Sequence, residues 1–136
     1  MNRRRQKKLS KRLVEAATFG DSTNIAALLR AGACPETRDT DGTTPLYAAS
    51  VTGATGNVLR LLAAGALPNT ESGRGAEGTP LCAAACWGHA ETVSALLAHG
   101  ADPRLREDHG TGRSPLEWAK TGPHPETIAV LLAAGA

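Results

Sequence analysis

A repeat of about 35 residues is the feature of this sequence that most limits its possible folds. Pro45, Pro80 and Pro115 are spaced 35 residues apart, and a leucine follows each of them. The same frame contains Gly-Ala pairs at residues 65–66, 100–101 and 135–136. Self-similarity at this period is typical of solenoids, in which each unit buries its apolar face against its neighbours.

Residues 79–102 show how one unit is built. Thr79 can accept hydrogen bonds from the free amides of a helix start, and Pro80 suits the first helical position because it lacks a donor there. Gly88 ends this helix, and a second apolar pattern at helical spacing follows before Gly100. Each unit therefore predicts two short helices, which are too short to be stable alone.

The motifs of this unit resemble the ankyrin repeat. They are Gly-Thr-Pro-Leu at residues 78–81, Ala-Ala at 83–84, Gly-His-Ala-Glu-Thr-Val at 88–93 and Leu-Leu-Ala-His-Gly-Ala-Asp at 96–102. The resemblance implies an all-α solenoid of four stacked helix-turn-helix units, joined by fingers that resemble β-turns or hairpins. The expected domain spans residues 10–136, with repeats at about 10–38, 39–72, 73–107 and 108–136. In the first unit Lys11 and Arg12 replace Thr-Pro.

Residues 1–9 are expected to form a basic N-terminal tail. Seven of the fifteen lysine and arginine residues lie within residues 1–12, which contain no acidic residue. Such a charge run repels itself, so we expect it to fray, with Ser10 as a possible cap of the first helix. The tail is interpreted either as a solubilising end or as a weak contact for the phosphates of nucleic acid or an anionic membrane. The residues of that contact would be Arg3, Arg4, Arg5, Lys7 and Lys8.

Neither catalysis nor a cofactor is indicated. Cys82, Cys86 and His89 share roughly one helical stripe, but His89 follows the turn and no fourth ligand is evident, so we expect no metal site. No serine or cysteine stands in a nucleophile motif. The odd number of cysteines and the absence of an apolar N-terminal run favour the cytoplasm. No stretch reaches the roughly 20 apolar residues of a transmembrane helix.

The resemblance implies a non-catalytic scaffold or adaptor that binds another protein on its concave face and fingers. Trp87 is the strongest candidate because tryptophan is enriched among residues that dominate binding energy, although its ring could instead pack over the turn beside Gly88. A different hypothesis is self-association through Ile128, Val130 and Leu131. The candidate partner-binding residues are Asp41, Thr43, Tyr47, Val51, Thr52, Arg74, Glu77, Cys86, Trp87, His109 and Arg113.

Overall fold

The computed structural model describes residues 2–136 and contains helices in the order that the repeat predicts. Four helix pairs follow one another along the chain, and one additional helical turn, α7, lies between the third and fourth pairs. The elements are α1 (Arg3–Phe19), α2 (Ser22–Arg30), α3 (Pro45–Thr52), α4 (Thr55–Ala63), α5 (Pro80–Cys86), α6 (Ala90–Ala98), α7 (Glu107–Gly110), α8 (Pro115–Ala119) and α9 (Pro125–Ala133).

The pairs stack into two layers. The first helices α1, α3, α5 and α8 contact one another in sequence, and so do the second helices α2, α4, α6 and α9. Each first helix also packs against the second helix of its own pair. The expected all-α solenoid is therefore confirmed.

Three of the first helices begin in the same way. Thr44, Thr79 and Ser114 are the N-caps of α3, α5 and α8, and a proline occupies the first helical position in each case. Each cap side chain accepts a hydrogen bond from the amide three residues later, at 3.3, 3.2 and 3.2 Å respectively. Side-chain caps of this kind stabilise a helix by about 1 kcal/mol each.

The start of α1 differs from the expectation. Asn2 caps a helix that begins at Arg3, so the basic residues are helical and the prediction of a fraying tail was wrong. Ser10 is not a cap, because it is buried within α1 and donates a hydrogen bond to the carbonyl one turn earlier, at 2.8 Å. Without the Thr-Pro start signal, good helix formers such as arginine and lysine continue the helix upstream. Met1 of the expected tail lies outside the described residues.

Small and aliphatic side chains form a continuous core. Ala49, Ala84 and Ala119, spaced 35 residues apart, have no exposed surface, and this allows adjacent first helices to approach closely. The fully buried leucine, isoleucine and valine residues of both layers complete the core, namely Leu13, Ile25, Leu46, Val58, Leu61, Leu81, Val93, Leu96 and Leu131.

A histidine at the start of a second helix lies against the glycine that ends a first helix in the preceding pair. His89 lies against Gly53 and His124 against Gly88, where an added Cβ would collide with the imidazole ring. Each Nε2 donates a hydrogen bond to the carbonyl two residues before that glycine, at 3.0 and 3.1 Å. Both glycines have left-handed backbone angles, with φ of 70° and 72°. Both the collision and the left-handed backbone therefore favour glycine at these two positions.

The C-terminal pair differs in one residue from the apolar face that the self-association hypothesis assumed. Leu131 has no exposed surface, because it packs inside the core, while Ile128 and Val130 are only partly exposed. The apolar side chain that faces outward is instead Leu132, which is 53% exposed. Leu131 was therefore wrongly assigned to that face.

No helix within residues 2–136 combines the length and the apolar character needed to cross a membrane.

Candidate functional site

The finger of residues 34–43, finger one, contains the predicted turn. Asp39 closes the turn with both of its main-chain groups. Its amide donates to the Thr43 carbonyl at 3.1 Å, and its carbonyl accepts from the Gly42 amide at 3.0 Å. Its carboxylate also accepts hydrogen bonds from the amides of Asp41 and Thr43, at 2.9 and 3.0 Å. The Asp41 side chain remains exposed at the end of the finger.

Residues 67–78, finger two, are fastened to finger one by a carboxylate. An isolated antiparallel bridge joins Ser72 to Gly78 and closes the tip of the finger. Glu77 accepts hydrogen bonds from the hydroxyls of Thr43, at 2.8 Å, and Ser72, at 2.7 Å. The Ser72 hydroxyl in turn accepts from the Thr44 amide at 2.9 Å. Thr43 and Glu77 thus fix one finger relative to the next.

Residues 102–113, finger three, contain the turn α7, in which Asp108 and His109 have left-handed φ angles of 52° and 55°. The Glu107 amide donates to the Arg113 carbonyl at 3.1 Å, and the Glu107 carbonyl accepts from the Gly112 amide at 2.9 Å. The His109 amide donates to Glu71 of finger two at 3.2 Å. These bonds hold the Glu107 side chain toward α5 and α8, while the Asp108 carboxylate lies beside Gly112 of the same finger.

A groove of about 340 Å³ lies between the tips of fingers two and three and the first helices α3, α5 and α8. We call it the central groove. Trp87, at the C-terminal end of α5, is 63% exposed there, as expected for a side chain that faces water. Four of the candidate binding residues line it, namely Tyr47, Glu77, Cys86 and Trp87. The other lining residues are Gly75, Ala76, Cys82, Ala83, Glu107, Asp108 and Trp118.

Trp118 and Glu107 join finger three to α8 at one wall of the central groove. The indole Nε1 donates to Glu107 Oε2 at 2.9 Å, and the Arg113 guanidinium lies over the ring, 4.8 Å from its centre. Burial raises the pKa of the Glu107 carboxyl, and the negative charges of Asp108 and Glu71 add to this effect. The hydrogen bond from Trp118 opposes it by stabilising the carboxylate.

Tyr47 and Cys82 also face the central groove, and both are held in their neutral forms. Burial raises the pKa of Tyr47 to about 12, and the charges of Glu77 and Glu107 act in the same direction. Burial likewise raises the pKa of Cys82 to about 12, although a hydrogen bond with Thr79 opposes the shift. At neutral pH the Tyr47 phenol and the Cys82 thiol are therefore protonated, and neither is an activated nucleophile.

The other candidate residues do not lie in the central groove. Arg74 and His109 line a neighbouring groove of about 620 Å³ between fingers two and three. Val51 and Thr52 lie at the end of α3, where the Thr52 hydroxyl donates back to the Ala49 carbonyl at 3.2 Å. Arg113 lies against Trp118. The concave face is thus divided into separate sites.

Glu107, Asp108 and Trp118 were not among the sequence candidates. Trp118 lies 35 residues after Ala83, so the repeat frame places both on the same face of a first helix, and that frame was a usable signal. The two acidic residues lie in a finger that is longer than finger one, where the repeat gives no register. Their position depends on the left-handed turn, which the sequence does not indicate.

The cysteine pair and His89 do not form a metal site. Cys82 lies toward finger three, where its thiol donates to the Arg113 carbonyl at 3.7 Å. His89 points the other way and donates to the carbonyl of Val51. Across residues 2–136 no group of three or more histidine, cysteine or acidic side chains could hold a metal ion.

Comparison with known proteins identifies the family. A family model that describes ankyrin repeats in three copies matches residues 55–136, which is more than half of the chain. The chain belongs to the ankyrin repeat family. No curated protein matches this ankyrin repeat protein. The match begins at the first residue of α4, and the structure shows the same helix pairing before that point.

Gly78 provides a test of the central groove's geometry. Its φ of 119° is unfavourable for other residues, and an added Cβ would collide with Glu107 Oε1. We expect Gly78→Ala to lower the free energy of unfolding by roughly 3 kcal/mol or more, because strain and collision add. Gly75 is the matched control, since its φ is 95° but no heavy atom lies within 4 Å of an added Cβ. Gly75→Ala should cost about 1 to 2 kcal/mol in the same urea titration. Equal costs for the two variants would contradict the packing of Glu107 against Gly78.

Glu107→Gln should change how stability depends on pH. A carboxyl whose pKa is higher in the folded state than in the unfolded state binds its proton more tightly when folded, so wild-type stability declines as the proton is lost. Relative to the variant, the wild-type free energy of unfolding should be highest below the ordinary pKa of 4.5 and fall as pH rises through the raised value. Urea titrations between about pH 3 and about pH 8 measure this difference, and a difference that rises with pH would contradict the assignment.

Proposed function

We propose that this ankyrin repeat protein is a non-catalytic scaffold that binds a partner protein in the central groove. The observation that carries the proposal is Trp87, a large aromatic side chain that is 63% exposed in a concave surface. Ankyrin repeats generally serve as protein interaction modules. Covering such a ring removes a large apolar area from water and makes tryptophan a frequent determinant of affinity.

Hydrogen bonds within the protein hold the walls of the central groove in place. Glu77 ties finger two to Thr43 of finger one, and Glu107 ties finger three to Trp118 of α8. The N-cap of α5, Thr79, is buried. A rigid surface loses little conformational entropy on binding, so more of the contact energy appears as affinity.

The cytoplasm is the compartment that we propose for this scaffold. All three cysteines are free thiols, and Cys34 is exposed. Exposed thiols persist in a reducing environment and are uncommon in oxidising ones.

Trp87→Ala tests the proposed function. Peptides selected from a random display library on the immobilised wild-type protein should bind the variant at least about tenfold more weakly, which corresponds to about 1.4 kcal/mol. Phe19→Ala is the matched control, because Phe19 is an aromatic residue that is 88% exposed at the end of α1, away from the central groove. Affinities from fluorescence anisotropy that Trp87→Ala leaves unchanged would contradict the proposal.

A second candidate function rests on one face of α1. Arg4, Lys7, Lys8 and Lys11 line a cavity of about 330 Å³ between α1 and the turn of finger one. The ion pair found within residues 2–136 joins Arg106 to Glu117, so these four side chains form no ion pair, although Asp39 also lines the cavity. Unpaired cations at this density attract phosphate groups. We propose that this basic face contacts nucleic acid or an anionic membrane, with Arg3 and Arg5 adding exposed charge beside it.

Salt dependence distinguishes this basic face from the rest of the surface. A variant with glutamine at Arg4, Lys7, Lys8 and Lys11 should bind a single-stranded oligonucleotide or phosphatidylserine vesicles more weakly, and with a shallower dependence on salt. The control is a variant with glutamine in place of Arg30 and Arg60, which are exposed on the second helices α2 and α4. The candidate function fails if the four-residue variant retains the affinity and salt slope of the wild type for both probes.

A further inference from the structure

The lining of the central groove carries charge of one sign. It includes the carboxyl groups of Glu77, Glu107 and Asp108 and no lysine, arginine or histidine. The raised pKa of Tyr47 agrees with a negative potential in the groove, since the charges of Glu77 and Glu107 add to the effect of burial. A positively charged ligand group is therefore favoured at this place over a neutral or negative one.

Three aromatic rings share the same lining. They belong to Tyr47 of α3, Trp87 of α5 and Trp118 of α8, so each comes from a different repeat. The face of an aromatic ring attracts cations, and tryptophan does so most strongly. The protein already shows this preference, because the Arg113 guanidinium lies 4.8 Å from the centre of the Trp118 ring.

The carboxyl group of Glu107 is placed where its charge has the greatest effect. Glu107 is only 8% exposed, and Trp118 orients one carboxylate oxygen through the bond at 2.9 Å. Charges interact more strongly when little water surrounds them. Asp108 follows it in sequence and is exposed, so it adds a second carboxylate to the same lining.

We infer that the central groove receives a cationic side chain that projects from the bound segment of the partner, with arginine preferred to lysine. The inference rests on the proposed function and adds the chemistry of the partner to it. Arginine is preferred because its planar guanidinium stacks on aromatic rings and can donate two parallel hydrogen bonds to a carboxylate. Lysine offers a compact and strongly hydrated charge, which gains less from both kinds of group.

Nuclear magnetic resonance titration with defined peptides tests the inference. The probe is an acetylated and amidated pentapeptide with one arginine among glycine and serine residues, and the matched control carries citrulline, which is neutral and nearly the same shape. The arginine peptide should shift the indole N–H signals of Trp87 and Trp118 saturably, and at least about threefold more tightly than the lysine peptide. The citrulline peptide should shift neither signal. Equal binding of the arginine and citrulline peptides, or no saturable shift with either, would overturn the inference.

Asp108→Asn is the variant that tests the charge without disturbing the fold. Asparagine tolerates the left-handed φ of 52° at this exposed position, so the turn should be retained. We expect the affinity for the arginine peptide to fall at least about threefold. Asp41→Asn, at the exposed end of finger one, is the control and should leave the affinity unchanged. Equal losses from the two variants would show that only the general charge of the surface matters.

Arg113→Gln should act in the opposite direction. Removing the guanidinium that lies over Trp118 frees that ring and deletes a competing positive charge, so the arginine peptide should bind more tightly. Weaker binding would overturn the proposed role of Trp118.

The display-library experiment distinguishes a failure of this inference from a failure of the proposed function. If the selected library peptides depend on Trp87 but not on a basic residue, the scaffold function stands and the cationic occupant is wrong.

Discussion

A histidine ring that packs against a glycine of the preceding repeat is the contact that fixes the last three helix pairs of the solenoid relative to one another. A single helix pair is too short to be stable in water, so each pair must be held in one position against its neighbours. His89 and His124 achieve this because Gly53 and Gly88 leave room for an imidazole and expose a carbonyl to it. The same glycines end the first helices, so one residue type sets both helix length and stacking.

Local and periodic features of the fold could be predicted from the sequence, whereas contacts between fingers could not. The starts of α3, α5 and α8 follow from a cap and a proline that act within one turn. The start of α1 differs from the prediction because helix propensity and the burial of Leu9 outweigh the repulsion between the basic side chains. The exposure of Trp87 was predicted from the repeat register. Glu107 was missed because its position depends on a turn whose shape the repeat does not encode, whereas the repeat frame could have placed Trp118.

Charge is segregated along the first helices. The basic face of α1 lies at the N-terminal end of the array, and the acidic lining of the central groove lies between α3 and α8. Because the layers are continuous, a segment lying across the first helices would pass from one potential to the other. Such polarity gives an elongated ligand one favoured direction, which a uniformly charged surface cannot provide.

Many of the hydrogen bonds between repeats run from a side chain to the main chain. Arg38 donates to the carbonyl of Glu71, Asn69 to that of Gly100, and Arg104 to that of Gly135. Every residue offers a main-chain carbonyl, so these bonds place no demand on the side chain of the residue that accepts them. As far as these bonds are concerned, a duplicated or exchanged unit could join the array without a matching side chain in its neighbour. This freedom is a physical basis for modular evolution by recombination of repeats.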